Sequence, residues 1–286
     1  PQAGSGPQPL ALGSTPAPPQ RPELQEAMAQ YGKSEYWEER YTRDPEPFDW
    51  YQRWAGLKDT VVGYVQPTHC VLMLGSGNSR LSEEMYEEGY HNITNIDISQ
   101  VVTKAMQEKY RDKPGMTYVQ MDARSIEVPD NNFNVVLDKV RALADAKPVV
   151  WIRRAPRPTR ARPQDQTLYC VTRDVLALWL RCGTFPALWI LASLDSILCG
   201  EGSTHNAQKV LSEVSRVLMP NGVYIAISHG QPSYRLTYLQ RPEFGWNVQV
   251  KTVQKPMMGM TASLSADDKD NVHYVYICTK GEGTEK

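Results

Sequence analysis

Metal-ligand spacing is missing from this chain. Its five cysteines, at positions 70, 170, 182, 199 and 278, form no CxxC pair, and its five histidines are equally scattered. That excludes a zinc-type cluster or any other metal site and a disulfide framework, and it points to a reducing compartment such as the cytoplasm. Long apolar runs are missing too: none reaches the roughly 18 residues a membrane span needs, and the nearest approach, Val175 to Leu191, is broken by Arg181 and Pro186. Residues 1–22 lack charge almost entirely and are built of Pro, Gln, Ala, Gly and Ser, a composition that cannot support a core. They read as a disordered tail. The repeated arginines of an organelle transit peptide are absent from it, and with Pro1 rather than Met at its start, any targeting signal upstream stays unread.

The chain has 286 residues that are 41% hydrophobic, enough for one sizeable core. A single domain is expected over 23–280, with 281–286 a short tail. The stretch that organises it is VLMLGSGNSRLSEEMYEEG, Val71 to Gly89. Val71 to Leu74 reads as a buried strand. Gly75 and Gly77 break it, Asn78 and Ser79 can cap the next helix, and Leu81, Met85 and Tyr86 recur at helical spacing. Strand, glycine turn, helix is an arrangement in which backbone N–H groups come close to a ligand, because no Cβ intervenes.

A second strand, Asn92 to Ile96, ends in Asp97, 20 residues beyond Gly77. At that spacing a carboxylate can accept both hydrogen bonds of a ribose diol. The third glycine of a dinucleotide fingerprint is missing, because Arg80 occupies its place. This argues against NAD or FAD and for a nucleoside without a pyrophosphate, S-adenosylmethionine foremost.

Upstream, KSEYWEERYTR (33–43) reads as a helix with Trp37 and Tyr41 on one face. Phe48, Trp50 and Tyr51 come soon after. Such aromatics can form a lid, and a π-face stabilises a sulfonium cation by roughly 0.5–2 kcal/mol. Downstream, a helix runs from Ser99 to Arg111, with Ser99 as its cap. Met116 to Met121 is a third strand ending in Asp122-Ala123, where an acid can accept from an adenine 6-amino group. Phe133 to Leu137 is a fourth, ending in Asp138-Lys139. Gln208 to Leu218 is an amphipathic helix, which Met219-Pro220-Asn221-Gly222 stops and turns into a fifth strand, Val223 to Ser228. Trp246 to Val253 and Val272 to Thr279 alternate well enough to pair as a hairpin. Five βα units and a final hairpin give an α/β, seven-stranded, mostly parallel sheet with an antiparallel C-terminal pair.

The segments EYWEERY, PFDWY, VLMLGSGNSRLSEEMYEEGYHNITNIDIS, MDAR, FNVVLDK, LDSILCGEG and LSEVSRVLMPNGVYIAIS occur in this order. Together they resemble the methyltransferase-like proteins that include the lysine methyltransferases of translation elongation factor 1-alpha, and their plant and algal relatives. The resemblance implies a Rossmann-like class I methyltransferase fold, S-adenosylmethionine as cofactor, and a protein lysine as acceptor, elongation factor 1-alpha by extension. It places cofactor contacts on Trp37, Tyr41, Trp50, Gly75, Asp97 with Ile98, Asp122 with Ala123, and Lys139. Gly77 and Asn78 of the same turn join this set. Ser76 departs from the Cys usual in the family.

No Asn-Pro-Pro-Tyr or Asp-Pro-Pro-Tyr occurs after the fourth strand, so methylation of planar amines is not supported. Asp138 stands where such motifs begin and is a weak candidate for orienting the acceptor. The segments 230–241 and 255–271 read as loops that shape the acceptor site. A small-molecule acceptor on the same core is the alternative.

One block breaks the pattern. In the family the Asp-Lys after strand four leads directly into Gly-Thr-Leu-Asp; here 54 residues, Val140 to Ser193, intervene before Leu194-Asp195 resumes it. They carry nine basic and three acidic residues, so their removal would take the net charge from −1 to −7. The abrupt change reads as a retained intron or gene-model error. As a genuine insertion it would be a basic surface for RNA or an acidic partner, and it could impair catalysis and leave a binding module.

Overall fold

The computed structural model describes residues 30–46, 53–139, 141–142, 190–191, 193–199, 202–255 and 272–282. A short 3-10 turn, Gln30–Gly32, precedes helices α1 (Ser34–Arg43) and α2 (Trp54–Val61). Then come β1 (Val71–Leu74), α3 (Leu81–Glu87), β2 (Ile93–Asp97), α4 (Gln100–Lys109), β3 (Met116–Gln120) and β4 (Phe133–Lys139). After α5 (Ser193–Cys199) come α6 (Ser203–Val217), β5 (Leu218–Ser228), α7 (Pro232–Leu239), β6 (Trp246–Gln254) and β7 (Val272–Lys280).

These strands form one seven-stranded sheet in the order β3-β2-β1-β4-β5-β7-β6. β1 to β5 are parallel, while β7 runs antiparallel to both β5 and β6. The expected α/β sheet with its C-terminal hairpin is therefore present.

Alternation along each strand divides the core between two faces. Val71, Met73, Val135, Leu137, Ile225 and Ile227 pack with Tyr41, Trp54, Leu57 and Met85 on one side. Leu72, Leu74, Val136, Tyr224 and Ala226 pack with Val210, Leu211, Val214 and Leu239 on the other. All four residues of β1 are buried, as a strand covered on both faces must be. Strand order reverses at β1, between β2 and β4, so the carboxyl ends of these strands open a crevice there.

Two local expectations change. Residues 219–222 do not leave the sheet: β5 starts at Leu218, and they form an irregularity where pairing shifts from Phe133–Leu218 to Val135–Val223. A Cβ on Gly222 would lie 2.8 Å from the Met219 carbonyl oxygen, which is why the chain makes this bend at glycine. The segment 230–241 is not all loop, since Pro232 at the first helical position opens α7. Most of 255–271 lies outside the described residues.

The chain leaves β4 after Lys139, and α5 begins at Ser193. A two-residue antiparallel ladder joins Arg141–Ala142 to Ile190–Leu191 at the base of that excursion. Among the described residues no helix is long and apolar enough to cross a membrane.

Leu211 on α6 is fully buried. Leu211→Ala is expected to lower the unfolding free energy by about 2–5 kcal/mol, read as a fall in urea midpoint at unchanged m-value.

Candidate active site

The glycine turn after β1 is left-handed at two positions, with φ of +53° at Gly75 and +49° at Gly77, a conformation that glycine adopts without steric cost. A Cβ on Gly75 would also collide with the hydroxyl of Ser193 on α5. The turn folds back on β2 rather than presenting all its amides outward. Ser76 N donates to the Ile96 carbonyl at 3.0 Å, and Gly77 N donates to Asp97 Oδ2 at 2.9 Å. Ser99 N donates to the other oxygen, Oδ1, at 3.0 Å. Gly77 thus holds the strand-end acid in place. Burial pushes the Asp97 carboxyl up to about 6, with these amides opposing the shift.

Asn78 does not cap α3. Its amide group donates to the carbonyls of Pro45 (3.2 Å) and Glu46 (2.6 Å), tying the end of the α1 segment to the turn. The Ser79 hydroxyl accepts from Leu81 N at 3.1 Å instead.

A cleft of about 660 Å³, counting its open mouth, lies over the carboxyl ends of β1, β2 and β3. Tyr31, Gly32 and Lys33 line it from the N-terminal turn, Trp37 and Tyr41 from α1, and Gly75 from the glycine turn. Ile96, Asp97 and Ile98 line it from β2, Met121 to Arg124 from the end of β3, and Ser193, Ser196 and Ile197 from α5. Of the residues singled out in the sequence, Trp37, Tyr41, Gly75, Asp97, Ile98, Asp122 and Ala123 meet here. Trp50 lies outside the described residues.

Lys139 lines a second cavity of about 290 Å³, which shares Gly75 with the first. Its Nζ donates to the Ser79 hydroxyl at 3.2 Å. The hydroxyl of Ser76, on the same wall, is buried without a hydrogen-bond partner among the described residues.

Asp122 is held differently from Asp97. Arg124 grips its carboxylate in a fork, with Nε 2.9 Å from both oxygens and a terminal nitrogen 2.7 Å from Oδ2. Burial raises this carboxyl, but the Arg124 guanidinium and amide more than offset it and hold it below its ordinary value.

Asp138 is not at the cleft. It is fully buried, and it accepts from Ser193 N (2.8 Å), Leu194 N (3.0 Å) and the Tyr224 hydroxyl (3.2 Å). Its two oxygens cap α5, so this carboxylate is unsuited to orienting an acceptor. Arg124 and the α5 wall are parts of the site that the sequence does not announce. An arginine two residues after Asp122 in MDAR, and the serines in and beside LDSIL, are the only signals available.

Residues 71–160 match the family described as "Methyltransferase domain". Over 245 residues the chain is 28% identical to EEF1A lysine methyltransferase 4 of Mus musculus, covering 85% of this chain and 78% of that protein. It is 41% identical over 118 residues to the eEF1A lysine and N-terminal methyltransferase of Homo sapiens, 41% of this chain and 17% of that one. The chain is an S-adenosylmethionine-dependent methyltransferase. The fold of this methyltransferase is shared with solved structures of low identity. One is a Haloferax volcanii methyltransferase in complex with the Trm112 activator, with TM-score 0.52 at 11% identity over 88% of this chain and 97% of that one. Another is the [4+2]-cyclase SpnF, with TM-score 0.50 at 13% identity and the same coverage. A cyclase on this sheet illustrates that fold alone does not fix the reaction. The residues present fit the cofactor: an aromatic wall for a cation, two carboxylates at strand ends, and a buried Ser76 hydroxyl beside Lys139.

Removing Asp138 strands a buried amide, a half-buried one and a buried hydroxyl. Asp138→Ala is expected to lower stability by about 2–4 kcal/mol, measured by denaturant unfolding. Burial lifts the folded-state value of this carboxyl to about 6, above its ordinary 3.8, so the folded protein binds the proton more tightly than the unfolded chain. Its contribution is full below pH 3.8 and declines as pH rises through about 6. Asp138→Asn should lack that part of the pH dependence.

Proposed function

We propose that this methyltransferase modifies a lysine side chain of a protein in the cytoplasm, with elongation factor 1A the acceptor to test first. The observation that carries the reading is the likeness to a protein named as an EEF1A lysine methyltransferase along 85% of this chain, well beyond the cofactor half of the sheet.

In this reading the rings of Trp37 and Tyr41, 6.1 Å apart between centroids, offer π-faces to a sulfonium. Asp97 retains acceptor capacity beyond its two amide bonds and takes the ribose hydroxyls. Asp122 and Ala123, with Ile98, border the adenine, and Gly75 lets the cofactor pass close to the backbone. Lys139 and Ser76 suit a carboxylate. Gly77 and Asn78 act on the site indirectly, through Asp97 and through the 45–46 segment. When bound, S-adenosylmethionine supplies an electrophilic methyl group. The protein's part is to align a neutral amine with it, and positioning supplies most of the gain. A lysine must first lose its proton, which a dehydrated approach favours. Asp138 has a structural role here and no catalytic one.

The domain reading stays as the sequence has it, one methyltransferase unit over 23–280 interrupted at 140–193. The interior of that block lies outside the described residues.

Incubating the enzyme with cell extract and methyl-labelled cofactor should place label on a protein band whose hydrolysate yields methyllysine. Label confined to low-molecular-weight material would instead support a small-molecule acceptor and end this reading. Cofactor affinity should also fall as pH is lowered through about 6, where Asp97 takes up its proton. Asp97→Asn should bind roughly 10-fold more weakly, as for a lost charged hydrogen bond, and should flatten that pH dependence in calorimetric titrations.

A further inference from the structure

Glu38 lies on α1 between the two cleft aromatics Trp37 and Tyr41, yet its carboxylate serves another element. Oε2 accepts from the Ser99 hydroxyl at 2.8 Å and from Val101 N at 3.1 Å, and Oε1 accepts from Gln100 N at 2.6 Å. These amides are among the first donors of α4, which have no partners inside the helix and carry the positive end of its dipole. Burial raises the Glu38 carboxyl, but the amides of Gln100 and Val101 and the Ser99 hydroxyl outweigh it and hold it below its ordinary value.

The neighbours on each side give this contact its consequence. On α1, Trp37 and Tyr41 face the cleft; on the other side, Asp97 and Ile98 face it immediately before Ser99. Ser99 joins the two, donating from its amide to Asp97 and from its hydroxyl to Glu38. Asn78 ties the far end of the α1 segment to the glycine turn through the Pro45 and Glu46 carbonyls. Glu38 is not among the residues lining the cleft, so anything it does to a ligand passes through these others.

We infer that Glu38 is a positioning residue of the cofactor site: its carboxylate, set on the N-terminus of α4, holds the aromatic wall of α1 in register with the Asp97–Ile98 end of β2. The inference rests on the proposed reading of the cleft as the S-adenosylmethionine site. Loss of the contact loosens cofactor binding but leaves the transfer step of bound cofactor intact, so KM moves and kcat does not.

The test compares full-length wild type with Glu38→Ala, Glu38→Gln and Asp97→Ala. S-adenosylhomocysteine binding is measured by calorimetry, cofactor KM and kcat by steady-state assay, and local order by hydrogen exchange. In Glu38→Ala, Kd and KM should rise about 10- to 50-fold with kcat within about threefold, as expected for a lost cap that acts on binding alone. Exchange should quicken in 34–43 and stay unchanged in β1 and β4. Glu38→Gln keeps one good acceptor oxygen and should raise KM by only about three- to fivefold; it decides the matter if the alanine variant does not fold. An unchanged KM in either variant, or a fall in kcat at constant KM, overturns the inference. If wild type binds no S-adenosylhomocysteine, or Asp97→Ala binds it as well as wild type, the cleft reading falls and this inference with it. If Asp97→Ala weakens binding and Glu38→Ala does not, only the inference falls.

Discussion

The site depends on one buried carboxylate held between two backbone amides. Asp97 receives Gly77 N on one oxygen and Ser99 N on the other. Those two bonds decide how three elements meet: the left-handed turn after β1, the end of β2 and the start of α4. A carboxylate this buried needs hydrogen-bond donors to stay ionised, and the donors must come from backbone that the fold has already fixed. The glycines at 75 and 77 therefore matter less as openings toward a ligand than as the residues that let the turn reach back. Arg80, where a dinucleotide site would have its third glycine, fits the same picture. Its Nε pairs with Glu83 at 2.8 Å on the exposed side of α3, away from the junction.

A second buried carboxylate closes the sheet where the sequence pattern breaks. Asp138 is the penultimate residue of β4, and besides the Tyr224 hydroxyl its hydrogen-bond partners are the amides of Ser193 and Leu194, 55 and 56 residues later. The residues that resume the pattern are thus held beside those that precede the break. The ladder between 141–142 and 190–191 adds to this closure. A core can tolerate an excursion of any length if its two ends leave and re-enter at one place, since loop-closure cost grows only logarithmically with length. Of the cleft wall that α5 supplies, Ser196 and Ile197 lie beyond the block, and Ser193 is the block's last residue.

Much of this was legible in the chain because the signals are local. β1 and β4 are apolar runs, the hairpin strands alternate, and Ser99 caps α4 as its type and place predict, accepting from Val102 N at 3.3 Å. The convergence of Trp37, Tyr41, Asp97 and Asp122 on one cleft comes from strand order, which the spacing of βα units conveys. The rest was hidden for a physical reason. Asn78 looks like a cap by residue type, but its partners lie 32 and 33 residues upstream. Asp138 resembles a catalytic acid by position, but two of its partners are backbone amides that carry no sequence signature, and the third, the Tyr224 hydroxyl, lies 86 residues downstream. The eight residues of α7 are too few to display a helical period.

The two acids at the cleft then differ in how their charge behaves. Asp97 is held by neutral amides, which oppose burial only in part, and it titrates near 6. Asp122 is held by a guanidinium, which more than offsets burial and holds its carboxyl below its ordinary value. With Arg124 occupying both of its oxygens, Asp122 has little acceptor capacity left for an adenine amino group. Its fork instead makes a rigid, nearly neutral edge beside Ala123. Under the proposed assignment, the end of β2 supplies the charge-sensitive contact to the cofactor, and the end of β3 supplies shape. An acid limb in cofactor binding near pH 6 would belong to the ribose side of the cleft, and the adenine side would be indifferent to it.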